Sequence, residues 1–392
     1  MSDELVSRFS SYQRVALIVG VIGLALLTFG AFLNPEGFFE SYLYGFLFWV
    51  GLSLGCFMIL MLQYVAGGPW GALIRRPLEA GIRVLPVMAL LFIPLFFGLH
   101  YLYEWTDSAV VANSFLLEQK TRYLNIPFFI ARSIIYFAIW IGGALLFTRW
   151  ARQQDEGADI FQFLRNVSAP GIIIYILTMT FAAIDWGMSL TPEWFSGMYG
   201  VIFMIGQALS AMALAIFVTV YFREREPFSK VYNAKRLQDL GNFLMAFTMF
   251  WAYVQMSQFI IIWSNNVVET ASWYVARTET QWIWVSAFLL VFHFFVPFLI
   301  LFSRWVKQKA RALIWVAAWM IFARLVDIFW IVVPTFEREG FPLYWTDFAA
   351  VIGIGGIWLA VFFSRIKQRD ILPTKDPRIS GALSGMEAAA HD

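Results

Sequence analysis

Ten long apolar segments, separated by shorter polar ones, follow one another along this chain. A helix of about 20 residues crosses a hydrocarbon core about 30 Å thick, whereas a membrane β-strand needs about ten residues of alternating polarity. The length and continuity of the segments therefore predict helices and an all-α integral membrane protein. We predict ten transmembrane helices, at residues 14–32, 42–64, 84–103, 126–147, 169–190, 197–222, 240–263, 281–302, 312–333 and 344–363.

Two sequence patterns recur with the same spacing, which indicates an internal repeat. The pattern Y-G-x-x-F-x-x-G begins at Tyr44 in span two and again at Tyr199 in span six, 155 residues later. The runs LFTRW (146–150) and LFSRW (301–305), at the ends of spans four and eight, have the same offset. A unit of four spans has an even number of crossings, so two such units share one orientation in the membrane. Chance similarity between apolar helices is the alternative.

The repeat predicts two parallel-repeat four-helix bundles with one flanking helix at each end of the chain. The expected division is a flanking helix in residues 1–40, a first bundle in 41–196, a second bundle in 197–340, and the tenth helix with a cytoplasmic tail in 341–392. The tail after residue 371 ends in the small-residue-rich run ISGALSGMEAAAHD. This composition predicts a tail that is disordered or held by a partner.

The distribution of charge predicts the orientation. Hydrophobic residues make up 60% of the chain and charged residues 14%, against about 25% charged in soluble domains. Most of the 28 Lys and Arg residues lie in the two tails and in the bridges after even-numbered spans, while the other bridges hold only Lys120, Arg122, Arg277 and Arg338. The positive-inside rule then predicts that both termini are cytoplasmic. The net charge of +2 gives no reason to expect nucleic acid as a partner.

Ionisable residues inside the first predicted bundle are the first candidates for chemistry. A charge in hydrocarbon costs at least about 2.5–3.5 kcal/mol, so each one needs a reason to be there. His100, Arg132 and Asp185 fall in the outer third of three consecutive spans, with Glu104 at the boundary and Trp186 beside Asp185. We predict one polar cluster, which is either a pocket for a quinone headgroup or a structural ion pair. Trp186 is then an aromatic wall of that pocket or an interfacial anchor.

The second predicted bundle holds a similar set. His293 lies near mid-depth on span eight, and Arg324 and Asp327 are three residues apart on span nine, so they share a helix face. Gln255 and Gln258 on span seven add polar groups. These residues predict either a buried proton path, which water would have to complete towards the cytoplasm, or a satisfied structural network. A core histidine donating to a backbone carbonyl is a further alternative for His293.

Cofactor ligands are scarce in the sequence. The three histidines are His100, His293 and His391, the single cysteine is Cys56, and there is no C-x-x-C-H, Gly-rich phosphate loop or cluster of metal ligands. His100 and His293 sit at different depths in different units, so they make a poor axial pair for haem. We therefore expect no covalently bound cofactor, no metal site and no set of catalytic residues.

Three sequence runs resemble one family of membrane proteins. They are FAAIDWGMSLTPEWFS at residues 181–196, YLNIPFF at 123–129 before Arg132, and WAY at 251–253 with SQF at 257–259 and the following Ile262 and Trp263. Together they resemble the ActF-type membrane subunits of bacterial alternative complex III, which belong with the NrfD/polysulphide-reductase membrane subunits. Such subunits have two four-helix bundles, and ActF-type members add two helices. The resemblance therefore implies the same fold that the internal repeat predicts.

The resemblance implies a non-redox-centre subunit of a quinol:electron-acceptor oxidoreductase of the cytochrome c type, in a respiratory or photosynthetic chain of a bacterial inner membrane. Haem and iron–sulphur centres would lie in partners: a multihaem cytochrome c, an iron–sulphur subunit and a monohaem cytochrome c. A paralogous NrfD-like subunit would bind quinol, and small membrane subunits would complete the assembly. The resemblance also implies menaquinone or another quinone as a ligand of the complex, and proton translocation across the membrane.

Two other classes of protein stay open on the sequence alone. A secondary transporter also has about ten helices and internal repeats, although such proteins typically show inverted repeats or broken helices near the midplane. A purely structural scaffold subunit is the other alternative. Co-purification with c-type cytochromes would separate a subunit of a redox complex from a transporter.

Overall fold

The computed structural model describes residues 3–223, 233–265, 267–337, 340, 343–373 and 375–379, and in them helices are joined by turns and short segments without any strand. Arg338, His391 and the end of the tail lie outside the described residues. Within these described residues ten helical spans are long and apolar enough to cross a membrane, which confirms the predicted all-α membrane fold. We number them α1 to α10, with bounds Glu4–Leu33, Pro35–Ala66, Pro69–Phe97, Ile126–Glu156, Phe161–Leu190, Tyr199–Tyr221, Ala234–Asn265, Ile283–Phe302, Ala310–Thr335 and Trp345–Ile366.

Several helices continue beyond the apolar segments that predict them. The α4 helix runs to Glu156 rather than to residue 147, and α5 begins at Phe161 rather than at residue 169. Arg, Gln and Glu are good helix formers, so the helix persists where the sequence becomes polar. Gly157, with φ of 108°, ends α4 in the left-handed conformation and allows the tight turn into α5.

The largest difference from the predicted spans is in α3. It consists of two helices, Pro69–Ile82 and Leu85–Phe97, where the sequence predicts one span over residues 84–103. The first helix contains charged residues and resembles a bridge in sequence, yet nearly all of its side chains are buried. Pro86 lies in the first turn of the second helix, where no backbone N–H donor is needed, so a new helix starts there.

The helices α2 and α6 are the centre of the molecule. In their most apolar stretches 83% and 89% of the residues are buried, against 22% in α1. They pack on each other; α2 also packs on α3 and α5, and α6 on α7 and α9. The flanking helices α1 and α10 pack together, and α10 contacts α2. These contacts form one continuous core, and the division into two repeated bundles stays a prediction.

Close approach of helices depends on small residues at two contacts. A Cβ on Gly55 of α2 would overlap the backbone of Gln207 in α6, and one on Gly356 of α10 would overlap Gly20 of α1. Without an aqueous driving force between helices, such close packing supplies much of the attraction between spans. Substitution at either glycine is therefore expected to push the two helices apart.

The outward faces of the helices are apolar. Large side chains such as Leu145 and Ile173 are 62% and 60% exposed, far more than a soluble protein tolerates over a continuous surface. The chain is therefore a multi-pass membrane protein. We call the end of the helices that carries Arg149 and Arg365 the basic end, and the other the opposite end.

Candidate functional site

A buried ion pair joins α4 and α5 near the opposite end. Arg132 lies in the second turn of α4, and Asp185 lies in the last turn of the helix Phe161–Trp186. Nε and Nη2 of Arg132 donate to Oδ2 and Oδ1 of Asp185 at 2.8 and 2.9 Å. This two-point geometry is the strongest arrangement between arginine and a carboxylate. The structure thus brings together two of the residues that the sequence selects.

Neighbouring groups complete the hydrogen bonding of this pair. The Tyr136 hydroxyl donates to Oδ2 of Asp185 at 2.7 Å, and Nη1 of Arg132 donates to the Tyr123 carbonyl at 3.0 Å. The guanidinium group also lies 3.9 and 4.2 Å from the ring centroids of Tyr123 and Phe128, within cation–π range. A buried pair that is satisfied on both sides ties its helices together.

The surroundings of Trp186 leave no place for a quinone headgroup. Its indole N–H donates to the Ser133 hydroxyl at 3.2 Å. Its ring lies 4.8 to 6.2 Å, centroid to centroid, from five other rings, those of Phe46, Phe92, Tyr136, Phe137 and Trp140. Asp185 is 0% and Trp186 1% exposed, and a cavity that admitted even water would expose its walls. The residues present do not fit a bound quinone in this conformation.

The other two quinone-pocket candidates lie apart from the ion pair. His100 is on the short helix Leu99–Leu102, its side chain is exposed, and its ring packs on Tyr101 at 3.9 Å. Glu104 begins the 3₁₀ turn Glu104–Thr106 and is also exposed. Among the described residues neither forms a hydrogen bond with Arg132 or Asp185. Equal depth along three helices does not determine which way a side chain faces, and α3 ends before His100.

The second site is an ion pair within α9. Arg324 donates to Asp327 three residues later, as the shared helix face predicts. Two residues of α7 also donate hydrogen bonds to the Asp327 carboxylate: the Trp251 indole N–H at 3.0 Å and the Gln255 side-chain amide at 3.5 Å. Gln255 is one of the polar groups that the sequence selects, and Trp251 lies four residues before it on the same face of α7, a spacing that could have added it.

His293 does not belong to this hydrogen-bonded set. It lies in the π-helical segment Leu289–Phe295 of α8 and is 0% exposed, so no water-sized space touches it. Within the described part of the chain neither ring nitrogen has a hydrogen-bond partner, so the alternative of a bond to a backbone carbonyl is not seen in this conformation. Its ring packs on Trp251 at 4.1 Å, and indole cannot accept a proton from it. The structure places the His293 ring against Trp251, which donates to Asp327, with no direct hydrogen bond between the imidazole and the described ion pair.

Gln258 lies further along α7 and has a different partner. Its carbonyl oxygen accepts from the Ser196 hydroxyl at 3.1 Å, in the bridge between α5 and α6. The amide that contacts Asp327 is that of Gln255, nearly one helical turn away. Gln258 therefore makes no hydrogen bond to the described second ion pair. It links α7 to the connection between the two predicted bundles.

A third polar cluster, which sequence reasoning missed, lies at the basic end. Glu79 accepts hydrogen bonds from Arg75, Arg76 and Arg369 at 2.6, 2.7 and 3.2 Å, and Asp155 lies 2.8 Å from Arg76. We call these five residues the Glu79 cluster. The sequence signal for it is the spacing on one helix of Arg75 and Arg76 from Glu79, which lies four and three residues later. Its partners come from α4 and from the chain beyond α10, which no local pattern predicts.

The chain beyond α10 docks on this cluster. Asp376 accepts from Arg378 at 2.8 Å and from Arg75 at 3.3 Å, and Arg378 also donates to the Gln63 side chain at 2.6 Å. Burial alone would raise the pKa of Asp376, but the hydrogen bond from Arg378 and the charges of Arg378 and Arg75 outweigh it and lower this pKa. The tail prediction is therefore wrong for residues 375–379, which the protein itself holds. Residues 380–392 lie outside the described part.

Comparison with known proteins assigns no chemistry to these sites. No protein-family model matches the chain, and no curated protein matches it. What the sites do must therefore be argued from their geometry and from the sequence runs that form them.

Proposed function

We propose that this chain is a membrane subunit of a quinol:electron-acceptor oxidoreductase, of the kind that ActF-type subunits form. The observation that carries the proposal is that the run most similar to that family, residues 181–196, supplies Asp185 and Trp186. These two residues are the centre of the buried ion-pair site and its aromatic enclosure. The resemblance thus falls on the residues that organise the first half of the molecule.

In this proposal the chain supports quinol oxidation without carrying a redox centre. The multihaem cytochrome c, the iron–sulphur subunit and the monohaem cytochrome c hold the electron-transfer groups. Quinol binds to the paralogous NrfD-like subunit, as the resemblance implies. The complex lies in a bacterial inner membrane, with the basic end of this chain in the cytoplasm.

Purification from native membranes tests this proposal. A tagged chain extracted in mild detergent should elute with other polypeptides and show the absorption bands of c-type haem. A secondary transporter would elute as this polypeptide without haem, and that result would refute the proposal. A matched purification of an unrelated tagged inner-membrane protein from the same cells gives the background.

A role in proton movement is a second candidate, favoured by His293. A buried imidazole without a hydrogen bond is unfavourable in a membrane interior and contributes nothing to packing that an apolar side chain would not. The π-helical segment around it is a local irregularity of a kind often found at functional sites. Proton transfer between His293 and Asp327 would require this segment to open to water. Asp327→Asn in the reconstituted complex should then lower proton release per quinol oxidised.

A further inference from the structure

A cavity of about 270 Å³ at the basic end is lined by four arginines. Arg83 comes from the bend in α3, Arg149 and Arg152 from the last turns of α4, and Arg365 from the last turn of α10. We call this cavity the arginine pocket. It adjoins the Glu79 cluster, because Arg369 of that cluster donates to the backbone carbonyl of Thr148 in the pocket wall at 2.9 Å.

The arginine pocket has no negative charge of its own. No carboxylate of the described residues forms an ion pair with Arg83, Arg149, Arg152 or Arg365, and none lines the cavity. Among the described residues the Arg83 guanidinium donates to two neutral oxygens, those of the Gln368 side chain at 2.5 Å and the Arg365 backbone at 3.4 Å. In the Glu79 cluster, by contrast, every arginine meets a carboxylate. Four guanidinium groups around one cavity repel each other unless an anion lies among them.

The position of the pocket identifies the kind of anion. Each arginine lies just beyond the end of a predicted apolar span, at residues 84, 147 and 363, which is the depth of lipid headgroups. Pro86, Ala144 and Leu145 form an apolar wall on the membrane side. Arginine binds phosphate through two parallel hydrogen bonds, and basic pockets between membrane helices suit phospholipid headgroups.

We propose that the arginine pocket binds the phosphate group of an anionic phospholipid, whose acyl chains lie along the apolar wall. Free inorganic phosphate can form the same hydrogen bonds with the arginines, but it has no acyl chain to pack on the apolar wall. The bound phosphate places a negative charge among the four guanidinium groups, which reduces their mutual repulsion, and it joins α3, α4 and α10 at the membrane surface. This inference does not depend on the proposed redox function.

Native mass spectrometry of the full-length chain tests the proposal. Arg149→Gln with Arg152→Gln removes two exposed arginines whose side chains form no ion pair with a carboxylate in the described structure, so the fold should persist. Each arginine lost should weaken the binding of added phosphatidylglycerol about fivefold. The double variant should therefore bind this lipid about thirtyfold more weakly than the unmodified chain does. Arg14→Gln with Arg165→Gln makes the same charge change at exposed sites outside the pocket and should leave binding unchanged. Phosphatidylcholine should bind weakly to all three.

Three results would overturn the proposal. One is equal retention of phosphatidylglycerol by the unmodified chain and the pocket variant. Another is an equal loss in the control variant, which would show that only the overall charge matters. The third is tight binding of inorganic phosphate without any preference for the lipid. Arg149→Lys with Arg152→Lys keeps the charge but loses the two-point geometry, and should give intermediate affinity.

Discussion

At the scale of single residues, the free-energy cost of a charge in hydrocarbon is what made the sequence informative. It requires Arg132 and Asp185 to pair, and they do. Tyr136 could have been added, because it lies one turn after Arg132 on the same face. His100 shows the limit of the argument, since its depth was estimated without knowing where α3 ends or which way the side chain points.

Breaking the first ion pair should destabilise the protein strongly. Asp185→Asn leaves Arg132 buried and without its counter-charge, which should cost about 3–5 kcal/mol of stability. We expect a large fall in the thermal unfolding temperature of the purified chain. Replacing both partners, Arg132→Met with Asp185→Leu, should recover much of this loss, since no unpaired charge remains. Equal destabilisation by the single and the double change would mean that the pair itself is not what holds α4 to α5.

His293 should behave in the opposite way. Neither ring nitrogen makes a hydrogen bond within the described structure, so His293→Leu removes a buried polar group and leaves no partner unsatisfied. We expect the unfolding temperature to stay the same or rise. Trp251→Phe, which removes a hydrogen bond to Asp327, is the matched control and should lower it. A clear loss of stability in His293→Leu would show that the histidine has a structural partner.

At the scale of helices, the sequence predicts the spans well because length and hydropathy decide them. It does not predict the helix Pro69–Ile82, since Arg75, Arg76 and Glu79 have the composition of an exposed bridge. Their burial depends on partners from α4 and from the chain beyond α10, far away in sequence. Contacts of this kind cannot be deduced from local periodicity.

The docking of residues 375–379 should depend on pH only under acidic conditions. The pKa of Asp376 is lowered in the folded protein, so its contribution is complete above the usual aspartate value of about 3.9 and is lost as pH falls through the lower folded value. The fluorescence anisotropy of a dye on Lys375→Cys should therefore be constant from about pH 5 to 8 and fall below about pH 4. Asp376→Asn should lower it at every pH. A decrease centred near neutral pH would contradict this account.

At the scale of the whole molecule, the distribution of Lys and Arg predicts the orientation in the membrane. The proposed function rests on a sequence resemblance and on the partner subunits that it implies. The orientation can be measured with an impermeant thiol reagent, because the native Cys56 is buried. Ser108→Cys, exposed at the opposite end, should label in spheroplasts, whereas Ala158→Cys, exposed at the basic end, should label only in inside-out vesicles. The reverse pattern would place the basic end outside the cell.

The most direct test of the central claim follows quinol oxidation itself. Solubilised native membranes that contain the tagged chain are passed over affinity resin, and quinol:acceptor oxidoreductase activity is measured on the resin and in the flow-through. If the chain is a subunit of such a complex, that activity and c-type haem should leave the flow-through in proportion to the chain. Untagged membranes should lose neither. Complete capture of the chain, with all the activity and haem left in the flow-through, would contradict the account.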